Sequence, residues 1–150
     1  MHIVRAKPED AAVLTEIAFA AKSHWGYPQE WIESWRDVLT MRPEFLKANE
    51  AWCALEDNQV LGFYVLTTES DGLHLDHLWI RPSAMGRGIG RDLFEHAVRQ
   101  GKELRHIALR IEVDPNAEGF YQRMGARRVG TNTASVGETR RELPLLIYDL

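Results

Sequence analysis

The chain has a single cysteine, no long apolar run and no surplus of positive charge, and each shortage removes a class of protein. Cys53 alone cannot close an internal disulfide, so packing must hold the fold. Flanked by Ala51, Trp52, Ala54 and Leu55, it reads as a buried strand residue, with a catalytic thiol as the alternative. Nowhere do about 18 apolar residues stand together, and the opening MHIVRAKPED has no apolar export core, so neither membrane spanning nor secretion is expected. The expected compartment is the cytoplasm. With 18 Lys and Arg against 22 Asp and Glu, the net charge of −4 offers no broad basic surface for nucleic acid. No linker, repeat or low-complexity tract divides the 150 residues, which are expected to form one domain, 1–150. Two nucleotide-binding signatures are missing as well. GxGxxG would need glycine at 91 or 93, where Arg91 and Leu93 stand, and the Walker pattern would need Gly-Lys-Ser/Thr.

What the chain does have is periodicity that changes along its length. A short strand is expected at 2–6. Pro8 stands at a first helical position, and Leu14, Ile17, Ala18 and Ala21 recur at helical spacing. Pro28 opens a second helix, PQEWIESWRDVL, in which Trp31 and Trp35 are four apart and expected in the core beside Ile32 and Leu39. Between the helices lies an aromatic loop, His24-Trp25-Gly26-Tyr27. Runs at 51–56, 60–68 and 73–80 are β-rich and separated by turn-forming Asp57-Asn58-Gln59 and Ser70-Asp71-Gly72, which predicts three antiparallel strands. Ile89, Leu93, Phe94, Ala97 and Val98 mark the apolar face of a helix that Gly101 ends. Ile107, Leu109, Ile111 and Val113 alternate as a half-buried strand. Asn116 is placed to cap a short helix carrying Phe120 and Met124, and one or two strands close the chain, the last at 143–150. This order predicts an α/β fold, a mixed sheet with helices on both faces.

One stretch, MGRGIG, places Gly86, Gly88 and Gly90 at alternate positions in a strand-to-helix turn. A helix start leaves N–H groups unpaired and carries the positive dipole end, and glycines let a ligand approach the backbone. Such a turn binds anions. Arg81, Arg87 and Arg91 surround it, and no acidic residue stands between 81 and 91, so a polyphosphate fits.

The turn resembles the acetyl-CoA pyrophosphate loop of the GNAT superfamily of N-acetyltransferases, Gln/Arg-x-x-Gly-x-Gly/Ala. Gly88 and Gly90 match, and Met85 stands where the family has Gln or Arg. A second segment, NAEGFYQRMG from Asn116 to Gly125, is similar to the family's N-x-x-A-x-x-F-Y-x-x-x-G. The resemblance covers essentially the whole chain. It implies a three-layer α/β/α fold whose mostly antiparallel sheet contains a parallel, splayed pair of strands, the fourth at 73–80 and the fifth at 107–113.

The resemblance also implies acetyl-CoA as cosubstrate, held by the backbone of Leu78, Trp79 and Ile80, by Met85, Gly86, Arg87, Gly88, Ile89, Gly90 and Arg91, and by Asn116, Phe120 and Tyr121. An amine would attack the thioester directly, with no protein nucleophile and no metal. Tyr121 matches the family's acid for the departing sulfur. A free phenol near pKa 10 gives a proton to a thiolate near 8.5 only uphill, by roughly 2 kcal/mol, so hydrogen bonding alone is the other reading of Tyr121. Strand parity puts His74, Asp76, Leu78 and Ile80 on one side and His77 and Trp79 on the other. For the amine's proton, Asp76 is the first candidate and His74 the second, while His77 stays unassigned. His24, Trp25 and Tyr27 are expected to line the acceptor pocket, with Glu30, Glu33 and Asp37 adding negative field. Arg140 and Arg141 read either as ligands for an acceptor carboxylate or as solvated hairpin charges. The acceptor is a small-molecule amine, an amino acid or a peptide amine, and the acyl group is open between acetyl, succinyl and propionyl. A non-catalytic acyl-CoA-binding sensor on the same fold is the alternative function. The family often forms homodimers through sheet edges or helices, but no patch in the sequence identifies one.

Overall fold

In the computed structural model, which describes residues 1–150, the alternating runs build one seven-stranded sheet in the order β1-β2-β3-β4-β5-β7-β6. The strands are β1 His2–Arg5, β2 Glu50–Glu56, β3 Gln59–Glu69, β4 Gly72–Ile80, β5 Ala108–Glu112, β6 Arg127–Val136 and β7 Thr139–Asp149. Neighbours pair antiparallel throughout, except that β4 and β5 run parallel. Helices α1 Ala11–Ser23, α2 Gln29–Ser34, α3 Arg36–Leu39 and α4 Pro43–Ala48 precede β2, while α5 Ile89–Glu103 and α6 Glu118–Arg123 flank β5.

Period-two strands present two faces, and each face has its own core. Leu14 and Ile17 of α1, Leu39 of α3 and Leu46 of α4 pack with Cys53, Phe63 and Val65 on one side. Leu93, Phe94 and Ala97 of α5 and Tyr121 of α6 pack with Tyr64, Leu66, Leu75 and Leu109 on the other. The result is the three-layer α/β/α arrangement. Cys53 is fully buried, and desolvation, aided by Asp10, pushes its thiol up to about 12. It is a structural thiol.

Local chemistry explains where the elements depart from the periodic reading. The helix expected from Pro28 breaks at Trp35, whose backbone at φ −95°, ψ 7° ends α2 and starts α3. The Ser34 hydroxyl donates to the Trp31 carbonyl at 2.6 Å, competing with the helical ladder at that point. Trp31 and Trp35 are consequently half-buried rather than in the core. α4 is an additional helix with Pro43 at its first turn. Asp114, not Asn116, provides the cap before α6: its carboxylate accepts from the Asn116 amide, and a short 3-10 turn, Pro115–Ala117, intervenes. The chain closes on a β6–β7 hairpin.

The decisive irregularity lies in β4. Val65 of β3 faces His77 and the next residue, Leu66, faces Leu75, so Asp76 is an extra residue, a β-bulge. A bulge resets side-chain parity. Leu73 and Leu75 before it share the α5-side core with Leu78 and Ile80 after it, whereas Trp79 packs toward the α1-side core. The strict alternation expected over 73–80 therefore fails, and with it the grouping of His74 with Leu78 and Ile80. Pairing of β4 with β5 is confined to Leu73↔Leu109 and His74↔Arg110. Beyond that point the two strands part.

Gly62 of β3 supports the far half of β4. A Cβ there would lie 2.7 Å from the Trp79 carbonyl oxygen and 2.8 Å from Ile80 Cδ1, so any side chain must push the backbone of β4. Gly62→Ala is expected to destabilise the protein by about 1–3 kcal/mol in urea unfolding. Gly101→Ala, which meets side-chain ends of Leu150 at 2.9 Å and Leu73 at 3.2 Å and no backbone, is expected to cost less.

Candidate active site

The parting of β4 and β5 opens a cleft of about 370 Å³, bordered by residues 75–80 on one strand and by 111–114 and α6 on the other. Because β5 has left, the free edge of β4 from Leu75 onward carries backbone N–H and C=O groups with no strand partner, a template for an extended ligand. Leu78, Trp79 and Ile80 border the cleft along this edge. Met85, Gly90, Asn116, Phe120 and Tyr121 border it as well.

At one end the cleft reaches the glycine turn. Gly86 and Gly88 have φ of +80° and +82°, a region that other residues rarely adopt, and no atom lies within 4 Å of a Cβ built at either. The backbone there is open to an approaching anion. Gly88 caps α5, a helix of 15 residues. Ile89 turns its side chain into the core, which leaves only its amide for a ligand. The local surplus of positive charge expected from the sequence is matched by glutamates of α1, β2 and α5. Arg81 meets Glu16 at 3.0 Å, Arg87 meets Glu56 at 2.8 Å and Arg91 meets Glu95 at 3.0 Å. Arg87 and Arg91 remain exposed enough to exchange these partners for phosphate.

Midway along the cleft stand the titratable groups. The Tyr121 ring packs edge-on against Phe94 and Phe120 with centroids 5.8 and 5.0 Å away, and burial raises its pKa above the ordinary phenol value. Its hydroxyl has no hydrogen bond within the chain, yet no buried side-chain polar atom is left unpartnered, so the hydroxyl meets the cleft. Asp76, at the bulge, borders the same cleft with 47% of its side chain exposed. His74 does not join them. It lies where β4 and β5 are still paired, and its Nε2 is bonded to Asp71 Oδ1 at 2.6 Å beside the β3–β4 turn.

The opposite end is bordered by Ala21 of α1 and Trp25 of the loop after it. Trp25 borders the cleft and is 43% exposed. His24 stands edge-on to Trp25 at 5.5 Å on the outside, away from the cleft. Tyr27 is likewise no part of the lining, because its hydroxyl is committed: it donates to Asp114 at 2.8 Å and accepts from Arg141 at 2.8 Å and Asn116 at 3.0 Å. Burial and then Asp114 push the Tyr27 phenol up to about 12. Lys22 Nζ lies 2.7 Å from Asp114 and 4.3 Å from the centre of the Trp35 ring. Arg141 sits over Tyr27 and Trp35, at 5.0 and 5.2 Å. Its side chain is only 11% exposed, so Arg141 is neither a solvated hairpin charge nor free to take a carboxylate.

This latch joins residues 92 and 114 apart in sequence, a separation that no local pattern reveals. Desolvation would raise the Asp114 carboxyl, but Lys22, the Asn116 amide and Tyr27 together hold it below the usual range. Burial also lowers the pKa of Lys22 against the pull of Asp114. Removing one member of such a buried pair leaves the other charge uncompensated.

The sequence pattern of the acetyltransferase (GNAT) domain matches residues 16–138. The chain belongs to the GNAT family. It is 35% identical over 104 residues to the peptidyl-lysine N-acetyltransferase YjaB of Salmonella typhimurium, a match covering 69% of this chain and 66% of that protein. The peptidyl-lysine N-acetyltransferase YiaC of Escherichia coli is 31% identical over 105 residues, covering 67% and 66%. The matched region thus spans just under two thirds of these relatives' length. Among solved structures, the PaiA N-acetyltransferase of Thermoplasma acidophilum in complex with coenzyme A superposes with a TM-score of 0.83 at 21% identity, covering 99% of this chain and 98% of that one. A GCN5-related N-acetyltransferase of Rhodopseudomonas palustris gives 0.85 at 22%, covering 99% and 95%. These two establish the GNAT fold.

Within this GNAT domain the two ends of the cleft respond differently to mutation. Asp114→Ala strands two nearly buried cations and is expected to cost about 3 kcal/mol of stability at neutral pH. Because the folded carboxyl titrates below its unfolded value, the ionised form stabilises above about pH 4 and loses that effect as pH falls through the lowered folded value. Urea midpoints of wild type and variant should therefore converge in acid. At the glycine turn, Glu56→Gln releases Arg87. Calorimetry is expected to show coenzyme A binding about threefold tighter, with the gain disappearing in high salt.

Proposed function

We propose that the protein transfers an acetyl group from acetyl-CoA to a primary amine by direct attack within a ternary complex. The observation that carries this reading is the parting of β4 and β5, which brings an unpaired strand edge, an open helix-capping turn, the Tyr121 hydroxyl and the Asp76 carboxylate onto one cleft. The cosubstrate fits these groups. The free β4 edge at Leu78, Trp79 and Ile80 pairs with its extended arm, one of the edge N–H groups faces the acyl oxygen as charge develops there, and the amides from Gly86 to Gly90, with Arg87 and Arg91, take the diphosphate. Asn116 and Phe120 flank the arm from the β5 side.

The roles of Tyr121 and Asp76 follow from their surroundings. Burial makes Tyr121 a weaker acid than a free phenol, so it serves by donating a hydrogen bond to the departing sulfur instead of surrendering its proton. The amine arrives as an ammonium. Half-exposed at the cleft mouth, Asp76 draws the ammonium in by its charge, and the neutral fraction of the amine, in protonation equilibrium with solvent, makes the attack. Trp25 offers an aromatic face to the same cation. The acceptor class to test first is the lysine side chain of a peptide, the class named for the two bacterial relatives.

Thiol release from acetyl-CoA across a panel of lysine peptides, amino acids and small amines tests the reading. Amine-dependent release is expected. Tight binding of acetyl-CoA with no release by any acceptor would favour a sensor. Tyr121→Phe is expected to lower kcat about 10- to 100-fold while leaving the Kd for coenzyme A unchanged. Wild-type turnover in that variant would remove Tyr121 from the chemistry.

A further inference from the structure

His77 is 7% exposed, yet it borders the cleft beside Asp76. Its Nδ1 lies 3.0 Å from Trp79 Nε1. An indole N–H only donates, so Nδ1 must offer its lone pair, and in the neutral ring the proton sits on Nε2. Burial keeps the ring neutral. Phe45 of α4 and Phe63 of β3 pack against it, desolvation lowers its pKa, and Asp76 is the charge that opposes the shift. The other carboxylates bordering the cleft, Glu112 and Asp114, stand across it, with Lys22 and Arg141 on Asp114.

Nε2 has no hydrogen-bond partner in the chain. Asp76 Oδ2 stands 3.6 Å from it, just beyond bonding distance. Since no buried side-chain polar atom lacks a partner, Nε2 opens on the cleft. With Nδ1 engaged and Nε2 protonated, the ring has no lone pair for the acceptor's proton unless the Trp79 bond breaks. His77 is not the base. It is a fixed donor next to a half-exposed carboxylate, and the bulge lets these sequence neighbours converge on one side of β4.

We propose that His77 is a positioning residue for Asp76: its Nε2–H, set by Trp79, captures the Asp76 carboxylate and holds it aimed at the acceptor ammonium. This rests on the reading of Asp76 as the group that receives the amine.

Two measurements on the whole protein need no turnover. Histidine ring ¹⁵N–¹H correlation spectra are expected to show His77 neutral and protonated at Nε2 near pH 7, and an Nδ1-protonated ring overturns the proposal. The carboxyl ¹³C titration of Asp76 is expected to move to higher pH in a folded His77→Phe variant, because a lost donor favours the protonated acid. In His77→Gln, whose amide nitrogen reaches the Nε2 position, it is expected to return toward wild type. An unchanged titration in His77→Phe overturns the proposal. In turnover, His77→Phe is expected to lower kcat about tenfold or more with KM for acetyl-CoA unchanged, the acid limb of the rate profile moving with the carboxyl. His77→Gln should recover most of the rate, and a Gln variant as impaired as Phe overturns the assignment. The spectra remain decisive even where no amine is acetylated, so failure of the catalytic reading is distinguishable from failure of this one.

Discussion

A bulge puts one extra residue into a strand, disturbs the ladder locally, bends the strand and resets which face its side chains take. In this protein the extra residue is Asp76. It lies just past the last β4–β5 pair, at His74: beyond it the edge of β4 is left with unpaired backbone groups, and side-chain parity is reset so that Leu78 and Ile80 anchor the strand to the α5-side core. The bulge also supplies the carboxylate. The irregularity thus sits where the cleft begins and places a charged group on its border.

The electrostatics of the two ends differ in kind. Around the glycine turn the arginines hold exposed glutamates, contacts that water and salt weaken and that a competing anion exchanges at little cost. Around Asp114 the charges are nearly buried, ringed by Tyr27, Trp31 and Trp35, and locked by short hydrogen bonds. The first end is built for exchange. The second fixes the walls, tying α1, the loop after it and the β6–β7 hairpin to the residue that caps the approach to α6.

Most of the fold was legible in the sequence because periodicity and turn residues are local signals. Three strands in 51–80, the amphipathic α5 and the strand at 107–113 could all be placed that way, and their order implied the layers. The break at Trp35 was not legible, since it depends on a serine hydroxyl choosing a carbonyl over solvent. The bulge was hidden for a different reason: it is a relation between β3 and β4, and parity counted along β4 alone missed it. That is why strict parity groups His74 with Leu78 and Ile80, whereas the structure separates them and leaves His74 on Asp71. The glycine turn was readable from spacing. The Lys22, Asp114 and Arg141 cluster was not, because its members come from distant parts of the chain and meet only after folding. Tyr27 was taken for the cleft on the strength of its loop, and the cluster claims its hydroxyl instead.

The lone thiol sets a practical boundary condition. Cys53 lies beneath α1 with its ionisation pushed up to about 12, so the native molecule presents almost no thiolate to disulfide reagents at neutral pH. A colorimetric assay of freed coenzyme sulfhydryl therefore runs against a silent protein background. Conversely, any slow signal from the protein alone counts the moments when the α1 layer lifts off the sheet, giving a chemical clock for that opening without a label being introduced.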